Sequence, residues 1–237
     1  MKAYKVNGFT MFEKAPYEKP DPKALMELHM VGPKEREKVY GAAFTTTFIK
    51  YALRAAVTQT GEKQPEDIKT LDQLKEYLLS KMEKLTTPPY YILIWAQYVT
   101  DKKLEGSLAA GTQIMYKGIT KKIVESKGDM IQTDNVDICK SLLTLRQLAV
   151  DMKVAPLEFG YRDNGDGTID LLHSGCHFLE GCKMSREYDL LKRPDGRHSC
   201  GVINIICQYL KMVTGKEWDY EVIKFDEQSC IAKCFPL

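Results

Sequence analysis

The chain has 237 residues, 44% of them hydrophobic and 28% charged, a composition typical of a soluble globular protein. Its 34 basic and 32 acidic residues leave a formal net charge of +2, so no strong overall field attracts nucleic acid and we expect no nucleic-acid partner. No apolar run is long enough for a signal peptide or a membrane span, and we therefore expect a cytoplasmic protein with no membrane partner.

The N-terminal part is expected to contain an extended segment followed by a helix. Residues 1–33 carry prolines that disfavour helix, and we expect irregular, extended chain there. The prolines are Pro16, Pro20, Pro22 and Pro33. Apolar and small residues then recur at helical spacing over 34–58, which predicts one long helix that ends near Gly61.

A second helix is indicated by Thr70 and Gln73, which have the spacing of a capping box and predict a helix to Leu85. The next stretch, 90–99, is the most hydrophobic in the chain. Periodicity cannot separate a buried strand from a buried helix there, but the prolines before it and the alanine within it favour helix. 

Three aromatic side chains of this stretch, Tyr90, Tyr91 and Trp95, either belong to the core or line a pocket for a flat ligand. A further helix is predicted over 106–126, where small residues such as Gly111 allow a ligand or another backbone to approach closely. We expect this helix and the aromatic residues to line one ligand pocket. Another amphipathic helix is predicted over 136–152, with Cys139 as a core residue.

After residue 156 the pattern changes to strands, over 157–162 and 168–173, joined by a turn rich in Asp, Asn and Gly. The turn resembles a calcium-binding loop, but Arg162 and His173 would occupy ligand positions, so we interpret it as a hairpin turn. A helix over 199–212, ended by Gly215, and two strands over 218–225 and 228–235 complete the predicted elements.

Six of the seven cysteines lie within residues 172–237. Cys200 stands at the start of the predicted helix, where the helix dipole favours loss of its proton, as suits a metal ligand or a nucleophile. Cys207, two turns later, is interpreted as core. Cys230 and Cys234, with Glu227 nearby, offer two thiols and a carboxylate within a short segment.

These residue types leave several kinds of site open. Zinc accepts sulfur and carboxylate ligands, and Cys200 could complete a set with Glu227, Cys230 and Cys234. Cys176 and Cys182 could add ligands or, with the other thiols, hold an iron–sulfur cluster. A reduced, cysteine-rich core without metal is as consistent with the spacing.

The last forty residues resemble a known family. The helix opened by Cys200, the turn Gly215-Lys216, the run Glu227-x-x-Cys230-Ile231-Ala232 and the final Cys234-Phe235 resemble the C-terminal signature of 4-vinyl-reductase-type domains, also called hydrocarbon-binding domains. The resemblance implies helices packed on an antiparallel sheet. It also implies zinc ligands at Cys200, Glu227, Cys230 and Cys234, although only three residues separate the last two cysteines here, so that Cys176 or Cys182 could substitute.

Together these features predict an α/β (α+β) fold, helical in its N-terminal two-thirds and strand-rich in its C-terminal third. We expect an extended segment at 1–33, and one domain at 34–237 with a cysteine-rich metal site at 172–237. The predicted function is binding of a small hydrophobic or aromatic molecule, with a structural zinc or, in the alternative, a [4Fe-4S] cluster and reductase chemistry. A second resemblance, to hydrolases of 2-amino-thiazoline carboxylate, implies a nucleophilic cysteine such as Cys200. Whether the protein is an enzyme, and whether it forms a homodimer, stays open.

Overall fold

The computed structural model describes residues 2–104, 107–125, 136–179, 182, 183, 186, 193, 195–226 and 229–237, and at 107–112 only their backbone. Its elements, in chain order, are β1 (Ala3–Val6), β2 (Phe9–Phe12), α1 (Pro22–Tyr40), α2 (Ala42–Thr60), α3 (Leu71–Ser80), α4 (Pro89–Lys103), α5 (Ser107–Glu125), α6 (Ile138–Asp151), β3 (Glu158–Asp163), β4 (Ile169–Ser174), α7 (Gly201–Thr214), β5 (Trp218–Phe225) and β6 (Ser229–Pro236). Helices dominate the first two-thirds and strands the last third, which confirms the predicted fold class.

The chain divides into two compact units. The sheet unit consists of Met1–Asp21 and Thr120–Leu237, and the helical unit consists of Pro22–Ile119. The boundary predicted at residue 33 falls inside α1. That residues 34–237 form a single domain stays a prediction.

The sheet unit is built on one antiparallel sheet with the strand order β1-β2-β3-β4-β6-β5. The register pairs His173 of β4 with Cys230 of β6, and Tyr220 of β5 with Cys234 of β6. Along β6, Cys230, Ala232 and Cys234 are buried and alternate with partly exposed residues. Because side chains alternate across a strand, both cysteines face the same, covered side of the sheet. The helix α7 packs against β5 and against α6.

The turn between β3 and β4 is the predicted hairpin turn. Gly165 and Gly167 have φ angles of 75° and 84°, a backbone conformation that glycine adopts readily. The carboxylate of Asp163 accepts the Gly165 N–H at 2.8 Å, and that of Asp166 accepts the Thr168 N–H at 2.9 Å. These carboxylates are engaged by the turn itself, in agreement with the exclusion of a calcium loop.

In the helical unit, the capping box at Thr70 and Gln73 is present, although α3 ends at Ser80 rather than Leu85. The hydrophobic stretch after Pro88 is a helix, α4, as predicted. The buried Arg36 of α1 forms an ion pair with the buried Asp101 of α4. A buried pair of this kind fixes the register of two helices, because separating the charges would leave each without a partner.

Two predictions for the N-terminal part are wrong. The single helix over 34–58 is two helices, which meet at Gly41, where φ is 68° and the helical hydrogen-bond pattern is interrupted. The segment 1–33 is not irregular throughout, because it contains β1, β2 and the start of α1. Pro22 is the first residue of α1, a position where the missing N–H of proline has no consequence. None of the helices in the described ranges is long and apolar enough to cross a membrane.

Candidate functional site

Cys200 occupies the N-terminal cap position of α7, in extended backbone conformation, as the sequence predicted. Its backbone is held in place by the sheet: the Cys200 N–H donates to the phenolic oxygen of Tyr220 at 2.7 Å. The side-chain amide of Asn204 donates to the same phenol and to the Cys200 carbonyl, both at 2.9 Å. Tyr220 is 1% exposed. A buried side chain of β5 therefore sets the position at which the helix starts.

Two neighbouring side chains direct hydrogen bonds at the Cys200 sulfur. The Cys230 thiol donates one, and the imidazole of His173 donates another. Because His173 and Cys230 are paired across β4 and β6, the sheet brings both donors to the same face. Nδ1 of His173 is buried and has no hydrogen-bond partner within the described part of the chain, which leaves Nε2 as the donor.

These contacts shift the pKa values of the Cys200 and Cys230 thiols in opposite directions. The hydrogen bond from Cys230 holds the pKa of Cys200 well below the usual range of a thiol, against the opposing effect of burial, and His173 lowers it further. The same hydrogen bond, followed by burial, raises the pKa of Cys230. The hydrogen bond therefore makes Cys200 the more acidic and Cys230 the less acidic thiol of the pair. The position of Cys200 at the start of α7 adds the favourable end of the helix dipole.

Cys176 and Cys182 lie close enough to Cys200 to feel its charge. Burial, and then Cys200, raises the pKa of Cys182 to about 12. Burial is also the main reason why the pKa of Cys176 is raised, with the charge of Cys200 as the next cause. Cys200 is therefore the one of these four thiols whose pKa is lowered.

The Cys200 sulfur lies beside a cavity of about 30 Å³. Its wall combines the four thiols and two histidines with apolar and cationic side chains. The lining residues are His173, Cys176, Leu179, Cys182, Arg186, His198, Ser199, Cys200, Val222, Phe225, Ser229 and Cys230. The guanidinium of Arg186 stacks on the Phe225 ring at 4.3 Å from its centroid, which places a positive charge at the wall of the cavity.

The other candidate ligands do not join this cluster. Cys234 is four residues beyond Cys230 in β6, a separation of about 13 Å along a strand. Two thiolates on one zinc ion lie within about 4.6 Å of each other, so Cys230 and Cys234 cannot share an ion. Cys234 instead contacts Cys207 of α7 through a thiol hydrogen bond in the core. Glu227 lies outside the described residues.

The aromatic residues of α4 do not all lie on one side of the helix, and their role in a ligand pocket stays a prediction. Tyr90 is buried and stacks on Tyr91, with ring centroids 4.9 Å apart. Trp95 is 42% exposed and contacts Tyr51 edge-on. Five residues along a helix turn the side chain by about 140°, so Tyr90 and Trp95 lie on different sides of α4. Gly111 lies in α5 at a position where only the backbone is described.

Two residues of the thiol site were not predicted from the sequence, namely His173 in this role and Tyr220. Both act through pairings across the sheet, which no local pattern reveals. The available signal was the alternation of buried and partly exposed residues along β6. It places Cys230 on the covered face of the sheet, where its thiol faces the residues of the helix packed on that face.

No protein-family model matches this chain, and no curated protein matches it. Two solved structures align with it over most of its length. One comes from a study of H-NOX activation, with 9% identity over 87% of this chain and 95% of that chain, and a TM-score of 0.42. The other comes from a study of haem redox potential modulated through porphyrin distortion, with 10% identity over 86% of this chain and 96% of that chain, and a TM-score of 0.35.

The predicted metal-binding function is wrong. Among the described residues, no group of three or more His, Cys, Asp or Glu side chains could hold a metal ion. There are two physical reasons. Cys230 and Cys234 lie too far apart along β6 to bind one ion, and Cys200 and Cys230 are hydrogen-bonded to each other.

The cavity beside the Cys200 sulfur does not fit a porphyrin. A volume of about 30 Å³ holds roughly two water molecules, and a porphyrin is many times larger.

Proposed function

We propose that the sheet unit binds a compact small molecule in the cavity beside Cys200 and engages it through the Cys200 thiolate. The observation that carries the proposal is the Cys200 sulfur on the wall of a cavity, in contact with the hydrogen-bond donors Cys230 and His173, both of which lower its pKa. A thiolate, rather than a thiol, is the nucleophilic form of cysteine. A binding site with this group selects molecules that carry an electrophilic atom.

The cavity limits the size of this molecule. About 30 Å³ admits only a few heavy atoms, whereas an apolar cavity of about 150 Å³ is needed to accommodate benzene. The wall combines apolar side chains, namely Leu179, Val222 and Phe225, with thiols, imidazoles and a guanidinium, so it suits a small molecule that carries polar atoms. The sequence predicted a small hydrophobic or aromatic molecule, and that finer description stays a prediction.

The positive charge at the wall supports the same role. Burial raises the pKa of Cys182, the hydrogen bond to Cys200 raises that of Cys230, and the charge of Arg186 partly offsets both effects. A cation on the cavity wall favours a negative charge that develops inside the cavity, such as that of an anionic leaving group.

Membership of the 4-vinyl-reductase-type family stays a proposal. It is supported by the order of elements over 200–237, where a cysteine caps a helix, Gly215 ends it with φ of 71°, and two strands follow. A cytoplasmic location is likewise proposed, and it agrees with the seven cysteines, all of which are free thiols.

The experiment that tests the function is thiol labelling as a function of pH. The reduced full-length protein is treated with methyl methanethiosulfonate, which transfers only a methylthio group, and the modified cysteines are identified by peptide mass spectrometry. We expect Cys200 to be labelled first and already at about pH 6, where a free cysteine with a pKa of about 8.5 is almost wholly protonated. The Cys139→Ser variant, altered in α6 away from the cavity, serves as the matched control and should label in the same way. Labelling of Cys200 only above about pH 8 would contradict the proposal.

A further inference from the structure

The thiolate of Cys200 has a second, protonated thiol in direct contact with it. Cys200 and Cys230 are hydrogen-bonded, and both line the cavity. They belong to different elements, the start of α7 and the strand β6, and are therefore far apart in sequence but adjacent in space. Such a pair can be joined by a disulfide after small side-chain movements, because the sulfurs are already in contact.

The sheet unit contains a second pair of hydrogen-bonded cysteines. Cys207 and Cys234 are also hydrogen-bonded across α7 and β6, and both are buried. Neither of them lines the cavity. The pair of Cys200 and Cys230 is the one that a small molecule in the cavity can reach, and it is the one flanked by His173 and Arg186.

We propose that Cys200 and Cys230 form a two-thiol centre that reduces a hydroperoxide small enough to enter the cavity. The inference rests on the proposed function and names its substrate class. Three observations support it: the two sulfurs are in contact, both line the same cavity, and that cavity is sized for about two water molecules, which is the size of hydrogen peroxide.

The reaction balances with these groups alone. The Cys200 thiolate attacks one peroxide oxygen, the O–O bond breaks, and Cys200 becomes a sulfenic acid while hydroxide leaves. Arg186 lines the same cavity, and its charge favours an anionic leaving group there. Cys230 then gives up its proton and attacks the Cys200 sulfur, and an S–S bond forms as the sulfenic oxygen leaves as water. In sum, the thiolate, the thiol and hydrogen peroxide yield a disulfide, water and hydroxide. Both sulfurs are oxidised by one electron each and the peroxide is reduced by two.

The asymmetry of the pair explains the order of events. Cys200 attacks first because it is ionised, and Cys230 holds its proton until the charge on Cys200 has been consumed. Once Cys200 is a neutral sulfenic acid, the negative charge that raised the pKa of Cys230 is gone, and Cys230 ionises more readily. The first step therefore prepares the second.

The test follows peroxide consumption and sulfur chemistry in the full-length, reduced protein. Hydrogen peroxide is added, its loss is measured, and the oxidised cysteines are mapped by mass spectrometry. In the wild type we expect a disulfide between Cys200 and Cys230, and an initial rate at least about tenfold above that of Cys200→Ser. In Cys230→Ser we expect a sulfenic acid on Cys200, trapped by dimedone, and no disulfide. The control Cys139→Ser should react like the wild type.

The outcomes separate the two proposals. If methylthio labelling selects Cys200 at low pH but peroxide leaves the Cys200–Cys230 pair reduced, the thiolate site stands and its hydroperoxide substrate is wrong. If Cys200 neither labels at low pH nor oxidises, both proposals are wrong. Disulfide mapping in the wild type decides the matter even where Cys200→Ser folds poorly. A bulky hydroperoxide such as cumene hydroperoxide should oxidise the pair more slowly than hydrogen peroxide, and equal rates would contradict the role of the cavity.

Discussion

The Cys230 thiol donates a hydrogen bond to the sulfur of Cys200, and this contact moves the pKa values of the two residues in opposite directions. The contact joins the first residue before α7 to the first buried position of β6. It makes Cys200 the more acidic of two similar buried thiols and Cys230 its hydrogen-bond donor. The chemistry proposed for the cavity depends on that difference.

Replacing Cys230 tests whether its hydrogen bond, rather than the rest of the site, lowers the pKa of Cys200. The Cys230→Ala variant removes the donor, so the pKa of Cys200 should rise and its methylthio labelling should need a higher pH. Cys230→Ser keeps a hydroxyl donor of nearly the same size and should leave the labelling profile of Cys200 close to that of the wild type. A matching shift in both variants would show that the donor is not what lowers the pKa of Cys200.

His173 is the second hydrogen-bond donor to the Cys200 sulfur, and its removal should also raise the pKa of Cys200. In His173→Leu, labelling of Cys200 should move to higher pH, because a donor to the thiolate is lost. His173→Gln retains an N–H group and should recover part of the shift. The labelling profiles of the three proteins, recorded side by side, check this prediction. Identical profiles would remove His173 from the site.

Tyr220 positions Cys200 without touching its sulfur, so its loss should weaken the fold and the site together. Tyr220→Phe leaves the buried N–H of Cys200 without its 2.7 Å partner, and an unsatisfied buried group costs about 1–3 kcal/mol. The free energy of unfolding in urea measures this loss. Tyr4→Phe removes a hydroxyl from a side chain that is 46% exposed and serves as the control, with no change expected. Equal stability of wild type and Tyr220→Phe would contradict the positioning role.

The helical unit has its own pH dependence, centred on His29. Burial lowers the pKa of His29 to about 4, from an ordinary value of 6.5. As the pH falls below 6.5, His29 becomes protonated in the unfolded chain but stays neutral in the folded chain. The contribution of His29 to the free energy of unfolding is therefore fully present above pH 6.5 and is lost between pH 6.5 and 4. The decline amounts to about 3 kcal/mol.

The check on His29 is urea unfolding at several pH values in that window. His29→Phe, which cannot titrate and can still stack on Tyr90, should lose less stability than the wild type on acidification. Above about pH 7, the difference between the unfolding free energies of the two proteins should no longer change with pH. A wild type and variant that lose stability in parallel would show that His29 is accessible to protons in the folded state.

Much of this fold is predictable because its signals are local. The capping box at Thr70, the glycine stop at Gly215 and the glycine-rich turn after β3 each act within a few residues, and each is present as predicted. The predicted single helix over 34–58 failed for the opposite reason. Hydrophobic spacing continues across Gly41, and only its backbone angle shows that two helices meet there.

The N-terminal hairpin was missed although a signal was present. Asn7 and Gly8 have φ angles of 49° and 81°, which fits the two-residue turn that Asn-Gly sequences favour. The prolines nearby led instead to an interpretation as irregular chain. Strands of four residues also carry too short a pattern to be recognised by alternation alone.

The site was predictable only in part. The place of Cys200 at a helix start follows from sequence, because helix limits are local. Its pairing with Cys230, rather than with Cys234, depends on the register of β6 against α7, and that register is set by contacts between distant segments. For the same reason the sequence suggested a shared metal ion where the strand holds the two cysteines too far apart.

The most direct test of the thiolate at Cys200 is its ultraviolet absorbance, since thiolates absorb where thiols do not. The reduced wild type and Cys200→Ser are titrated from about pH 5 to pH 9 under identical conditions, with Cys139→Ser as the control. The wild type should carry about one more thiolate than Cys200→Ser throughout, with the excess already present well below the ordinary thiol pKa of about 8.5. An excess that develops only near that value would show that Cys200 is an ordinary protonated thiol, and would contradict the account.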